Sequence, residues 1–132
     1  MAAAGSQTIR YDNGNPQNKQ NRIRRIDIAW IADAAGAVTE LAAFGINGRI
    51  AALVTDPGSP APTANYDIRI LNEHGIDVLQ GLGANRHTTT TEMVSIVYSS
   101  TDVHPAVAGP CTLEVLNAGN LGAGSLTLYI EQ

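Results

Sequence analysis

The sequence predicts an all-β protein: a two-sheet antiparallel β-sandwich, jelly-roll-like, of about eight strands with an extended N-terminal arm. Three observations predict this fold. From Ile26 onward, apolar residues fall at every second position, which is the period of a strand with one buried face. Turn-forming Gly, Asn and Pro recur about every ten residues, a spacing typical of a sandwich or small barrel. Amphipathic helical periodicity is scarce along the chain.

The predicted arm comprises residues 1–22. From residue 5 to residue 21 it consists mostly of Gln, Asn, Gly, Ser and Thr, with turn signals at Asn13-Gly14 and Asn15-Pro16. Such a stretch buries too little apolar surface to offset the entropy lost on ordering. We therefore expect the arm to be mobile or held against another surface, and the folded domain to occupy residues 23–132.

Eight strands are predicted in the domain from alternation and from the turns between them. Ile26, Ile28 and Trp30 share one face of the first strand, and the alternation is equally clear in residues 66–71 and 125–130. In the last of these, Leu126 and Leu128 are predicted to be buried. The predicted strands are residues 24–32, 38–44, 48–55, 66–72, 77–81, 92–98, 111–117 and 125–131.

The charges of this 132-residue chain are divided unevenly. Five of the eight basic residues lie in the first 25 positions with a single acidic residue, which gives that segment +4; the other three basic and eleven acidic residues give the rest −8. A basic arm on an acidic body suggests attachment to other chains through charge complementarity. The predicted partner-binding residues are Arg10, Lys19, Arg22, Arg24 and Arg25. The alternative is that these arginines only protect a solvated strand edge.

Composition also argues against other partners and compartments. A net charge of −4 lacks the broad positive face that phosphate binding needs, so no nucleic acid is expected. No apolar run approaches the 18 or more residues that span a membrane, and the opening residues lack the pattern of a secretory signal. We therefore expect the protein to be made and used in a soluble form.

Histidine and cysteine give no sign of a metal or catalytic centre. His74, His87 and His104 lie in predicted loops, and none has another His or Cys at metal-ligand spacing. Cys111 is the only cysteine, so no internal disulfide can form, and its place in an apolar strand favours a small buried residue over a nucleophile. No nucleophile elbow is present. The sequence thus predicts neither an enzyme nor a cofactor.

Three aspartates in or beside predicted loops leave one alternative open. Asp33, Asp56 and Asp67 offer oxygen ligands that suit calcium, although no EF-hand pattern of alternating acids surrounds them. Asp is also a preferred turn residue, and this interpretation is favoured.

Several turn-and-strand motifs resemble those of a known family. The chain contains Ile26-Asp-Ile-Ala-Trp30, Ala32-Asp-Ala-Ala-Gly-Ala-Val38, Thr55-Asp-Pro-Gly58, Ala61-Pro-Thr-Ala-Asn-Tyr-Asp67, Gly75-Ile-Asp-Val-Leu79, Gly83-Ala-Asn-Arg86 and Leu116-Asn-Ala-Gly-Asn120. Across residues 24–132 this order resembles a family of small structural proteins of tailed bacteriophages. The arm lies outside the resemblance.

The resemblance implies a β-sandwich protein of the virion that acts as a capsid decoration, or cement, protein. It implies binding to the major capsid protein, self-association as a homotrimer, and a place on the outer capsid surface after synthesis in the host cytoplasm. Two alternatives remain. A protein of the tail, head–tail junction or fibre base would be present in far fewer copies, and a carbohydrate-binding module would need exposed aromatic rings as stacking platforms.

Overall fold

The computed structural model describes residues 5–11, 23–39, 41–97 and 103–132, and these residues form strands and loops without a helix. All strand pairings are antiparallel. The predicted all-β class is therefore confirmed. The strands are β1 (Ser6–Tyr11), β2 (Ile23–Ile31), β3 (Phe44–Pro57), β4 (Asp67–Leu71), β5 (Glu92–Ser95), β6 (Ala106–Leu116) and β7 (Ala123–Glu131).

The long strand β3 lies at the centre of the sheet. The strands are ordered β1-β2-β7-β3-β6-β4, and β5 also pairs with β3. One edge of β3 pairs with β7, whereas its other edge pairs first with β6 through residues 44–49 and then with β5 through residues 52–55. The register with β7 shifts between Ile50 and Ala52. Because an extra residue bends a strand and increases its twist, this bulge helps the sheet to curl.

Strand β6 changes partner along its length. Its residues 106–111 pair with β3 and its residues 112–116 with β4. Gly109, with φ of 154°, and Pro110 come just before this change. Gly adopts a backbone conformation that other residues avoid, and Pro cannot donate to a ladder, so the pair marks a natural bend.

The inward faces of the strands enclose one hydrophobic core. Alternate residues are buried, so that Ile28 and Trp30 of β2 contribute to the same cluster as Leu128 of β7 and Ile68 of β4. The Trp30 ring lies 5.6 Å from the Tyr66 ring, centroid to centroid. The faces predicted from alternation in residues 66–71 and 125–130 are confirmed.

Two predicted strands are wrong. In the segment 38–44, whose residue 40 lies outside the described residues, Val38 forms an isolated bridge with Val115, residues 41–43 are not in a strand, and β3 begins at Phe44. Residues 77–81 form turns because the Asp77 carboxylate accepts hydrogen bonds from backbone N–H groups, including that of Gly81 at 2.9 Å. This side chain offers the backbone a local alternative to a ladder. The strand predicted for residues 92–98 ends at Ser95, and residue 98 lies outside the described residues.

Part of the predicted arm is a strand. All six residues of β1 pair with β2, from Ser6 opposite Ile31 to Tyr11 opposite Ile26. Ile9 packs against the core from this position. The polar composition of the segment concealed the strand, since β2 supplies most of the surface on which it lies. Residues 1–4 and 12–22 of the predicted arm lie outside the described residues.

We expect Leu128→Ala to lower the free energy of unfolding by about 2–5 kcal/mol, because truncating a fully buried leucine removes apolar contact and leaves a cavity. Ser125→Ala, on the opposite face of β7, should change it by less than about 0.5 kcal/mol. Urea unfolding followed by circular dichroism measures both. Equal effects would contradict the assignment of the two faces.

Candidate functional site

The outer face is the surface formed by the side chains of β1, β2, β7 and β3 that alternate with the core residues. Four of these residues form one row across the strands: Arg10 lies opposite Asp27, Asp27 opposite Thr127, and Thr127 opposite Val54. A shallow groove of about 360 Å³ follows this row. The ladders below hold its lining in register, so the outer face is a preorganised surface.

Asp27 is the centre of the polar contacts on the outer face. The Arg25 guanidinium donates two hydrogen bonds to it, from Nη2 to Oδ1 at 2.8 Å and from Nε to Oδ2 at 3.1 Å. The Thr127 hydroxyl donates a third, 2.5 Å from Oδ1. Arg25 Cζ also lies 5.9 Å from the centroid of the Tyr129 ring. These contacts fix the Arg25 guanidinium over two neighbouring strands.

The same contacts keep Asp27 ionised. Partial burial alone raises the pKa of this carboxyl group, but the hydrogen bonds from Arg25 and Thr127 and the charges of Arg25 and Arg10 outweigh it and lower the pKa below its usual value. Asp27 is therefore an anion at neutral pH. Its charge attracts that of Arg10, the residue opposite it in β1.

The structure brings together two of the five predicted partner-binding residues. Arg10 and Arg25 both lie on the outer face. Arg24 faces the other way, opposite Ile130 at the end of the core, and is half-buried. Lys19 and Arg22 lie outside the described residues. That any of the five binds a partner stays a prediction.

The outer face carries charges of both signs in separate places. At the β1–β2 side, the Arg25 guanidinium pairs with the Asp27 carboxylate, and Arg10, opposite Asp27 in the ladder, acts on it through its charge. At the β3 side of the same groove lies Asp56, whose carboxylate accepts a hydrogen bond from the Thr91 hydroxyl at 2.8 Å. The groove therefore runs from a basic end to an acidic end.

Reasoning from the sequence missed Asp27, Thr127 and Tyr129 as members of this surface. Alternation alone places each of them on an outward face. The missing information was that β2 and β7 are neighbours, since Asp27 and Thr127 are 100 positions apart in the chain. A matching pair of polar residues at outward positions was the available signal, but it does not identify which strands pair.

The histidines lie in loops, as predicted. His87 Nδ1 accepts hydrogen bonds from the backbone N–H groups of Thr89 and Thr90 at 3.0 and 2.9 Å. His104 Nδ1 contacts the carbonyl oxygen of Ile96. Within the described ranges, no group of three or more His, Cys, Asp or Glu side chains is placed to hold a metal ion.

Asp33 and Asp67 stabilise turns and loops, whereas Asp56, the third aspartate named as a possible calcium ligand, lies within β3 and accepts a hydrogen bond from Thr91. Asp33 Oδ1 accepts hydrogen bonds from the N–H groups of Ala35 and Ala37 at 2.9 and 3.0 Å. Asp67 accepts one from the backbone N–H of Asn85 at 3.0 Å and one from the side-chain Nδ2 of Asn117 at 2.8 Å. These carboxylates stabilise loops by accepting hydrogen bonds from backbone N–H groups and, at Asp67, also from a side chain.

Cys111 is buried in β6, as predicted. Burial, reinforced by the nearby Glu73 carboxylate, raises the pKa of its thiol to about 11. Since the thiolate is the nucleophilic form, the raised pKa disfavours reaction of this side chain at neutral pH.

A scan against protein-family models and a search of curated proteins each found no match to this chain. The resemblance to phage structural proteins thus depends on the sequence motifs alone. Among the residues that the structure describes, there is no helix of the length and apolarity needed to cross a membrane.

Asp27→Asn should lower the free energy of unfolding at pH 7 by about 0.5–1 kcal/mol, a small value because the ion pair is partly exposed. A carboxyl group whose pKa is lowered on folding stabilises the fold above its ordinary pKa, and this contribution is lost as the pH falls through the lowered pKa. The difference between variant and wild type should therefore shrink below about pH 4. Urea unfolding at several pH values measures this difference in the free energy of unfolding, and Glu73→Gln, at an exposed carboxylate, is the control. A difference that grows as the pH falls would contradict a lowered pKa at Asp27.

The Cys111 thiol should react with a thiol reagent at pH 8 at least about 100-fold more slowly in the native protein than in urea, since both burial and the raised pKa suppress the thiolate. Absorbance after adding an aromatic disulfide reagent follows the reaction. Equal rates would show that the β6 site is open to solvent.

Proposed function

We propose that the protein is a virion structural protein: a capsid decoration, or cement, protein that binds and stabilises the shell of the major capsid protein. The observation that carries this proposal is the outer face, where Arg10 and Arg25 are gathered around Asp27 on paired strands. The family resemblance supplies the identity of the partner. No cofactor or chemical step is part of the proposal.

Charge and preorganisation support binding to a protein surface. The Arg25 guanidinium is already held by Asp27 and lies near Tyr129, so little side-chain freedom remains to be lost on docking. A surface with acidic and basic patches complements a groove whose ends have opposite charges. A uniformly negative phosphate backbone complements only its basic end.

The proposed role requires only modest affinity at each site. Exposed arginine contacts contribute little individually, but a shell offers the same contact many times, and each bound copy stabilises the assembled state by mass action. In this proposal the protein bridges neighbouring capsid subunits and opposes their separation.

The proposal includes the arrangement of the strands as a two-sheet sandwich. In a two-sheet, jelly-roll-like sandwich, β4 and the second half of β6 would form a layer across the core from β2 and β7. The change of partner along β6 and the single shared core support this interpretation. This arrangement would leave the outer face, on the layer that contains β2 and β7, available to bind the shell.

The decisive variants change the outer face without removing β1. In the double variant Arg10→Gln with Arg25→Gln, we expect the Kd for capsid shells to rise on the order of tenfold, equivalent to about 1.4 kcal/mol. Rising salt should weaken the wild type more than the variant, because part of the attraction is screened. Co-sedimentation with shells that lack the protein measures binding.

Two controls accompany this experiment. Arg69→Gln removes a guanidinium of β4 that pairs with Glu114 at 2.7 Å, away from the outer face, and should bind normally. The double variant Arg10→Lys with Arg25→Lys keeps both positive charges and should retain part of the binding to capsid shells. Unchanged binding of the Gln double variant would exclude the outer face, and a purified particle with only a handful of copies would favour the tail or the head–tail junction over the shell.

A further inference from the structure

Strands β1 and β5 each have an edge with which no other described residue pairs. Outside their ladders with β2 and β3, the backbone groups of β1 and β5 make no hydrogen bond anywhere in the described part of the chain. The far edge of β4 is different, because residues 76–86 cover it: Ile68 N–H donates to the Gly83 carbonyl at 2.9 Å, and Val78 N–H donates to that of Ile70 at 2.8 Å. Among the described residues, this edge of β4 is thus covered, whereas the outer edges of β1 and β5 are available for pairing.

The two open edges match each other in polarity. Each carries one apolar side chain, Ile9 on β1 and Val94 on β5, that is only partly buried and packs against the core. The side chains on either side of them along each strand are exposed on the outer face, among them Thr8 and Ser95. Neither strand contains a proline or a bulge that would prevent pairing.

One antiparallel register places the two inward apolar side chains opposite each other. If Ile9 lies opposite Val94, both side chains are on the inward face and each covers the exposed part of the other. Thr8 then lies opposite Ser95 on the outer face. Arg10 lies opposite Met93, whose side chain is 67% exposed.

We propose that β1 of one copy pairs antiparallel with β5 of a second copy, in the register that sets Ile9 opposite Val94. Within one chain the two strands are not hydrogen-bonded to each other, and β2, β7 and β3 lie between them in the sheet. The pairing is therefore between copies. It does not depend on what the outer face binds.

Charge favours this pairing over β1 with β1. Two β1 edges would bring together two corners in which Arg10 and Arg25 outnumber Asp27, the carboxylate paired with Arg25. The β5 side of the sheet instead carries Asp56 and Glu92, which outnumber Arg86, the guanidinium 3.7 Å from Glu92. Opposite charges near a shared edge stabilise the pairing, and like charges oppose it. Because the two edges differ, the contact is heterologous and extends into a closed ring or an open chain of copies.

Cysteine cross-linking tests the register. Opposed residues of antiparallel strands have Cα atoms about 4.5–5.5 Å apart, which allows a disulfide. The full-length double variant Thr8→Cys with Ser95→Cys should form covalent dimers and larger species under mild oxidation, seen on non-reducing gels. Cys111 is buried and does not compete.

Three controls make the result decisive. Thr8→Cys alone and Ser95→Cys alone should remain monomeric on the gel, and Thr8→Cys with Thr90→Cys, which uses an exposed loop residue, should cross-link several-fold less. Strong dimers from Thr8→Cys alone would show β1–β1 pairing and overturn the proposal. No cross-linking of the double variant, or equal cross-linking of the loop control, would overturn it as well.

The mass of the wild-type protein in solution provides a second test that needs no substitution. Sedimentation equilibrium should show a mass that rises above that of the 132-residue chain as concentration increases. A monomer across the whole soluble range would overturn the proposal even if disulfides could be trapped.

Discussion

The antiparallel ladder between β3 and β7 is the constraint on which the rest of the structure depends. It joins the strands that carry the outer face to those that close the core at the other side. The bulge near Ala51 bends β3 while β7 follows it, so the sheet curls around apolar side chains instead of remaining flat. Few of the buried residues are aromatic and many are aliphatic. The close packing of these aliphatic side chains depends on the curvature of the sheet.

Asp27 links β2 to β7 through Thr127 and also orients the Arg25 guanidinium on the outer face. It lies between Arg10 of β1 and Thr127 of β7, and it orients Arg25 within its own strand. Removal of residues 1–21 would therefore do more than delete a charged tail, since it would also remove β1 and uncover the edge of β2. Point substitutions of Arg10 and Arg25 instead remove the two charges and leave β1, the strand that carries Arg10, in place.

Local patterns predicted the fold class and the inward faces, because burial on one side of a strand leaves a period of two in the sequence. Trp30 and Leu128 were placed correctly in this way. The same rule failed at residues 77–81, where the side chain of Asp77 satisfies the backbone, and it missed β1, whose stability comes from β2. The outer face was only partly predictable: the arginines were visible as a basic cluster, but their grouping around Asp27 depends on strand order, which no local pattern specifies.

The neighbours β2 and β7 come from opposite ends of the described domain, with Asp27 contacting Thr127. During synthesis on the ribosome, β2 therefore cannot pair with β7 until nearly the whole remaining chain has been made. Such a high contact order slows folding, because a long loop must close before the contacts can compensate for its entropy. Until then, β1 and β2 can form at most an isolated hairpin, a unit that is marginally stable in water. The nascent chain thus passes through a stage in which strand edges are unprotected, when wrong pairing with another chain competes with completion of the fold.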